Sequence, residues 1–344
     1  MAEADPDIAV QAAPIAEREI AGAGPLDEAV RGAREPFVVR GLVADWPLVR
    51  AGLNSADDAR AYLLRKRRDV PFTVSLGESG AGGRLFYDDS MGMNFRSGRG
   101  RLDDIFSQMA VRENDPDCPA VYLASIDTRQ FFDGLDEDHP IPLGDRDLLK
   151  SIWIGTRTRI AAHNDFPDNL ACCAVGRRRF TLFPPEQFRN LYLGPVDNTP
   201  AGRAISMVDF HAPDFARFPR FREALQHAQI TELEPGDALF IPSMWWHHVE
   251  GLAPFNVLMN YWWRDTPRWL GQPQDALNHA MLSIRDLPHE EKRIWRDLFD
   301  YYVFENDEAV TAHIPEKARS VLDRLTPQSA SRIRNFILQQ LGKG

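Results

Sequence analysis

From about residue 119 to residue 263 the chain is a succession of short apolar or alternating runs cut by Pro, Gly and Asp turns. They read AVYLASI (120–126), SIWIGTRTRIAAH (151–163), LACCAV (170–175), RRFTLFP (178–184), QITEL (229–233), DALFIP (237–242) and FNVLMNYWW (255–263). Short strands in close succession, rather than strands alternating with long helical segments, predict an antiparallel sandwich or barrel and not a βαβ array.

The flanks read differently. Residues 1–15 form an Ala/Asp-rich stretch expected to be a disordered leader. FVVRGLV (37–43) has strand composition, and SADDARAYLLRKR (55–67) predicts a helix capped by Ser55 and ending in a solvated basic run. Residues 77–100 hold seven Gly and predict a long flexible loop without a phosphate-cradling motif. Past 265 the period becomes helical: Ile294, Leu298 and Tyr302, then Ala318, Val321, Leu322 and Leu325, recur at helical spacing. A last helix is expected from Thr326-Pro327, with a stripe of Ile333, Phe336, Ile337 and Leu341. The expected division is a leader (1–15), a β-rich domain (16–265) and a helical extension (266–344).

Composition narrows the function classes. Lys and Arg total 40 against 50 Asp and Glu, a net charge of −10, which argues against binding a nucleic-acid backbone. Three Cys (Cys118, Cys172, Cys173) without CxxC spacing build neither a disulfide framework nor a thiolate zinc site. The acidic start lacks the marks of a signal peptide, and no apolar stretch of about 18 residues spans a membrane, so the expected location is cytoplasmic.

His163 and Asp165 stand two apart at a predicted strand end. Their side chains leave the same face about 6–7 Å apart, supplying two of the three ligands of a 2-His-1-carboxylate site. Alone, His-x-Asp is common and reads more readily as a hydrogen-bonded surface pair than as a metal site. A third ligand has to come from another strand, and His247-His248 ends the run DALFIPSMWWHH. Consecutive strand residues face opposite ways, so one of the two at most serves the site. Among Arg177, Arg178 and Arg179 the same alternation predicts one inward guanidinium, which calls for an anion beside it. Four of the eight Trp lie between 245 and 263, as core, pocket wall or substrate contact, and Cys172 and Cys173 read as buried inert thiols.

The stretch HNDFPDNLACCAVGRRRFTLFPPEQFRNLYLGP (163–195), with SMVDF (206–210), PGDALFIPSMWWHHVE (235–250) and NYWW (260–263), resembles the cupin-like JmjC oxygenases, a group that includes the asparaginyl hydroxylase of hypoxia-inducible factor. The resemblance spans roughly residues 35–265. It implies a double-stranded β-helix, mainly β with flanking helices, followed here by a helical C-terminal extension. It implies Fe(II), 2-oxoglutarate as cosubstrate and O2, in hydroxylation that releases succinate and CO2. His163, Asp165 and His247 fall on the iron ligands. Tyr122, Asn169 and Asn260 match residues of the cosubstrate pocket, and Trp262 an aromatic wall near the metal. Arg178 stands where the asparaginyl hydroxylase has Lys against the distal carboxylate. Ile160 replaces a hydroxyl residue that assists 2-oxoglutarate, so that contact is lost or Thr158 or another polar group compensates. The expected substrate is a protein or peptide side chain. A small molecule or RNA base, or a non-catalytic carbohydrate-binding cupin, are the alternatives. The C-terminal helices are expected to mediate a homodimer or to pack on their own barrel.

Overall fold

The computed structural model describes residues 12–20, 23–113, 115 and 118–342. The chain divides into two compact units, Met1–Arg264 and Asp265–Gly344.

The first unit is a jelly roll of two sheets. One has six strands, in the order β1 (Ala13–Pro14), β11 (Gln229–Leu233), β10 (Arg178–Phe183), β13 (Trp246–Gly251), β8 (Arg159–Asn164) and β4 (Arg84–Leu85). The other has eight, in the order β2 (Phe37–Val39), β12 (Ala238–Ile241), β9 (Asp168–Val175), β14 (Asn256–Trp263), β7 (Leu149–Gly155), β6 (Val121–Asp127), β3 (Phe72–Gly77) and β5 (Phe95–Gly100). Adjacent pairs are antiparallel except β1 with β11 and β4 with β8. Large apolar side chains of β9, β10, β12, β13 and β14 meet between the sheets, among them Cys173, Phe180, Leu182, Leu239 and Leu258. Helices Pro47–Asn54, Ala56–Lys66 and Leu102–Val111 contribute Leu48, Leu63 and Phe106 to a separate core with the eight-stranded sheet. The expected Ser55 cap is present, its Oγ accepting from the Asp58 N–H at 3.0 Å.

Three sequence expectations are corrected. Residues 1–11 of the expected leader lie outside the described residues, but 12–15 belong to the fold: Ala13–Pro14 pair with β11, and Ile15 is buried. The Gly-rich 77–100 segment is not one flexible loop. It holds β4 and β5, because Gly82 and Gly83 take the left-handed backbone that turns the chain into β4. Phe95–Gly100 then pairs along the whole of β3. The helical period at 318–325 yields only 3-10 turns at Glu316–Ala318 and Ser320–Leu322. Pro315 precedes the first turn, and Ser320, at φ 54°, interrupts any longer helix.

The second unit contains helices Pro273–Ser283, His289–Phe299 and Pro327–Leu341. The last begins at the predicted Thr326-Pro327, with Thr326 and Ser329 exchanging capping bonds. Phe336, Ile337 and Leu341 of its apolar stripe are exposed. No helix among the described residues is long and apolar enough to cross a membrane.

Candidate metal and ligand site

Strand pairing assembles three metal-ligating side chains. His163 near the end of β8 is the direct cross-strand partner of His247 on β13, and their rings lie 4.3 Å apart. Asp165 follows two residues after His163, with Oδ2 3.8 Å from His247 Nε2. One ligand atom from each of the three lies within 4.8 Å of the other two. Each imidazole has its Nδ1 against a carbonyl two residues back: His163 on Ala161 O at 2.9 Å, His247 on Trp245 O at 3.1 Å. Such a bond places the proton on Nδ1 and turns the Nε2 lone pair toward a metal. Burial, then the neighbouring His163, hold the His247 pKa down to about 4, so it presents the neutral ring that ligation requires. His248 points to the opposite face and stacks on Phe210.

The triad opens into a cavity of about 220 Å³ between the two sheets. All eight residues singled out in the sequence line it: Tyr122, His163, Asp165, Asn169, Arg178, His247, Asn260 and Trp262. Arg178 is the inward member of its triplet, 1% exposed, while Arg177 and Arg179 reach solvent and glutamates. Its Nε and Nη2 are buried and have no hydrogen-bond partner among the described residues. A guanidinium held this way is costly unless an anion joins it. Burial, opposed by the Arg178 charge and hydrogen bond, pushes the Tyr122 hydroxyl up to about 12, so it stays a proton donor. Asn260 Nδ2 donates to Asn169 Oδ1 at 2.7 Å, which leaves Asn260 Oδ1 buried and unpaired.

Where Ile160 stands the wall is apolar, and Thr158, though buried, does not line the cavity. Ser75 and Ser125 do. Trp245 and Trp246 are core: both are buried, and their indoles donate to the Arg34 and Pro185 carbonyls. Cys172 and Cys173 are fully buried thiols whose pKa burial raises.

Three features escaped the sequence reading. Trp153 on β7 lines the cavity with its indole N–H buried and unpartnered. Ser125 sits in a β-bulge of β6 at φ 50°. Arg203 lies with Nε 3.9 Å from Asp165 Oδ1 and its guanidinium 4.1 Å from the Phe166 ring centre. Strand alternation could have flagged Trp153, two residues from the Ser151 and Gly155 positions of the same face. No local signal marks Arg203.

A family profile described as a cupin-like domain matches residues 24–268. HSPB1-associated protein 1 of Homo sapiens is 34% identical over 139 residues, 38% of this chain and 27% of that protein. The tRNA wybutosine-synthesizing protein 5 of Gallus gallus is 28% identical over 192 residues, 50% of this chain and 56% of that protein. The lysine-specific demethylase JMJ31 of Arabidopsis thaliana is 32% identical over 123 residues, 35% of this chain and 22% of that protein. The chain thus spans between about a fifth and little more than half the length of these relatives.

Proposed function

The chain belongs to the cupin-like domain family, of JmjC oxygenase type, and from that premise we propose that it is an Fe(II)- and 2-oxoglutarate-dependent dioxygenase that hydroxylates a protein side chain. The observation that carries this reading is one cavity holding both a His-Asp-His triad and a buried guanidinium with two unpaired nitrogens. A metal and an anion are what those two groups lack, and a metal-chelating dicarboxylate supplies the second while reaching the first.

Each residue's part follows from its chemistry. His163, Asp165 and His247 would hold Fe(II) through two imidazole nitrogens and one carboxylate oxygen. Arg178 would receive the distal carboxylate with Nε and Nη2, the edge that binds carboxylates in bidentate fashion. Tyr122 would donate its hydroxyl to the same group. Arg178 stands opposite Gly251 and His247 opposite Leu182, so the two ends are four register steps apart, about 13 Å by strand rise. Asn169 and Asn260 pin each other beside the triad, and Trp262, Ile160, Leu258 and Phe180 keep water from the walls. When bound, Fe(II) and 2-oxoglutarate supply O2 activation coupled to oxidative decarboxylation. One oxygen atom of O2 enters the product hydroxyl and the other enters succinate, with release of CO2.

The test is incubation of the Fe(II)-loaded full chain with 2-oxoglutarate, O2 and, in separate reactions, a proteome-derived peptide pool, a nucleoside mixture and a small-metabolite mixture, reading succinate and gain of one oxygen in mass. Succinate and an oxidised peptide, both lost in His163→Ala, are expected. Succinate with oxidation only of nucleosides or small metabolites would overturn the protein substrate. Absence of succinate under every condition would overturn the oxygenase reading in favour of a non-catalytic cupin.

A further inference from the structure

Three buried indoles have a partner. Trp46, Trp245 and Trp246 each donate Nε1–H to a backbone carbonyl, at 3.2, 3.1 and 3.2 Å. The exceptions among the described buried indole nitrogens are Trp153 and Trp262, and both line the cavity. Leaving such a donor unsatisfied costs about 1–3 kcal/mol, so a residue selected for packing alone at position 153 is better met by Phe.

The register places the two indoles differently. Trp262 pairs with Asn169 of β9 and stands at the triad end. Trp153 pairs with Leu258, four positions along β14 from Trp262 and toward the Arg178 end. On its other side its ring approaches that of Tyr122, with centroids 5.8 Å apart at 34°. Tyr122 and Arg178 line the same cavity, close enough for the guanidinium charge to act on the Tyr122 hydroxyl. Trp153 is therefore beside the Tyr122–Arg178 pair, on the sheet that faces the guanidinium.

We propose that the Trp153 indole N–H is a third donor of the distal anion site, joining Arg178 and Tyr122 around the carboxylate of a dicarboxylate ligand and setting the preference for a dicarboxylate over a 2-oxo monocarboxylate. Arg178 supplies charge and a two-toothed edge, and Tyr122 a donor along one rim. Trp153 supplies a neutral donor on a rigid ring that is wedged between Tyr122 and Trp262 and so loses little freedom on binding. Because its N–H has no protein acceptor to give up, all of the bond it forms with the ligand is gained. The proposal rests on the dicarboxylate reading of the cavity.

The test measures binding rather than turnover. The full chain is loaded with Mn(II) and titrated calorimetrically with 2-oxoglutarate and with 2-oxopentanoate, which has the same chain length and lacks the distal carboxylate. Trp153→Phe keeps the ring and removes the donor. It is expected to weaken 2-oxoglutarate about ten- to a hundredfold, the worth of one hydrogen bond to a charged group, and to leave 2-oxopentanoate unchanged. Trp153→His, which retains a ring N–H, is the second variant and is expected to keep more of the preference than Trp153→Phe. Equal weakening of both ligands, or no change in either, would overturn the role of Trp153 and make it a packing residue. If the wild-type chain shows no preference for 2-oxoglutarate over 2-oxopentanoate, the dicarboxylate reading itself falls, independently of any variant.

Discussion

His163 and His247 face each other across the β8–β13 ladder, ring against ring at 4.3 Å, each oriented by the carbonyl two residues before it. Two ligands of the triad are thereby fixed by backbone pairing rather than by loops. Substituting either by Ala should leave the fold intact and reduce Mn(II) or Fe(II) affinity by more than the roughly 10–100-fold that loss of an outer hydrogen-bond partner costs. Calorimetric metal titration beside a thermal melt checks this, and undiminished affinity in both variants would contradict it.

Arg178 is expected to trade stability for binding. Replacing a buried, half-satisfied guanidinium by an apolar side chain of similar length removes a desolvation cost. Arg178→Met should raise the stability of the ligand-free chain by about 1–4 kcal/mol in urea titration and abolish the preference for 2-oxoglutarate over 2-oxopentanoate. A destabilised variant that retains the preference would show that the guanidinium serves packing instead.

Gly83 controls how β4 meets the site. Its φ is +80°, and a Cβ there would stand 2.2 Å from the Arg157 carbonyl oxygen, on the turn that leads into β8. Backbone, not a yielding side chain, blocks the atom. Gly83→Ala should therefore cost about 1–3 kcal/mol and weaken the cavity through Leu85 and Ile160, which pair across β4 and β8. Gly98, whose added Cβ meets nothing within 4 Å, is the control expected to tolerate Ala.

His139 gives the fold an acid limit. It is fully buried, its Nδ1 is 2.7 Å from the Leu135 carbonyl, and Trp46 packs edge-on against it. Burial lowers its pKa below the ordinary 6.5, against the raising effect of the Leu135 bond and of Asp138. A folded pKa below the unfolded one means that the unfolded chain takes up the proton first. The stabilisation is complete above about pH 6.5 and falls by about 1.4 kcal/mol per unit as the pH drops toward the folded pKa. Urea midpoints at pH 7.5 and 5.5 should differ more in wild type than in His139→Gln, and equal differences would refute the assignment.

The metal ligands and Arg178 were legible in the sequence because strand alternation is local. Two-residue spacing puts His163 and Asp165 on one face, and the same rule allows one inward member among Arg177, Arg178 and Arg179 and one of His247 and His248, with the resemblance choosing Arg178 and His247. The pairing of β8 with β13 is a contact between segments more than 80 residues apart and was supplied by the family resemblance, not by the spacing. The Gly-rich segment was misread because strand propensity describes side chains, and FRSGRG forms β5 through backbone pairing with β3. Trp153 was passed over because a Trp in an apolar run reads as core. Only its unpartnered nitrogen, visible once Trp46, Trp245 and Trp246 are seen with theirs satisfied, separates it from them.

The central claim, that one cavity holds the metal and the 2-oxo acid together, is tested most directly by adding Fe(II) and 2-oxoglutarate to the full chain without oxygen. The account predicts a weak visible absorption from chelation of the metal by the 2-oxo acid. That absorption should be absent in His163→Ala and shifted to much higher 2-oxoglutarate concentrations in Arg178→Met. No absorption in the wild-type chain at saturating metal and cosubstrate, or the same absorption in His163→Ala, would contradict it.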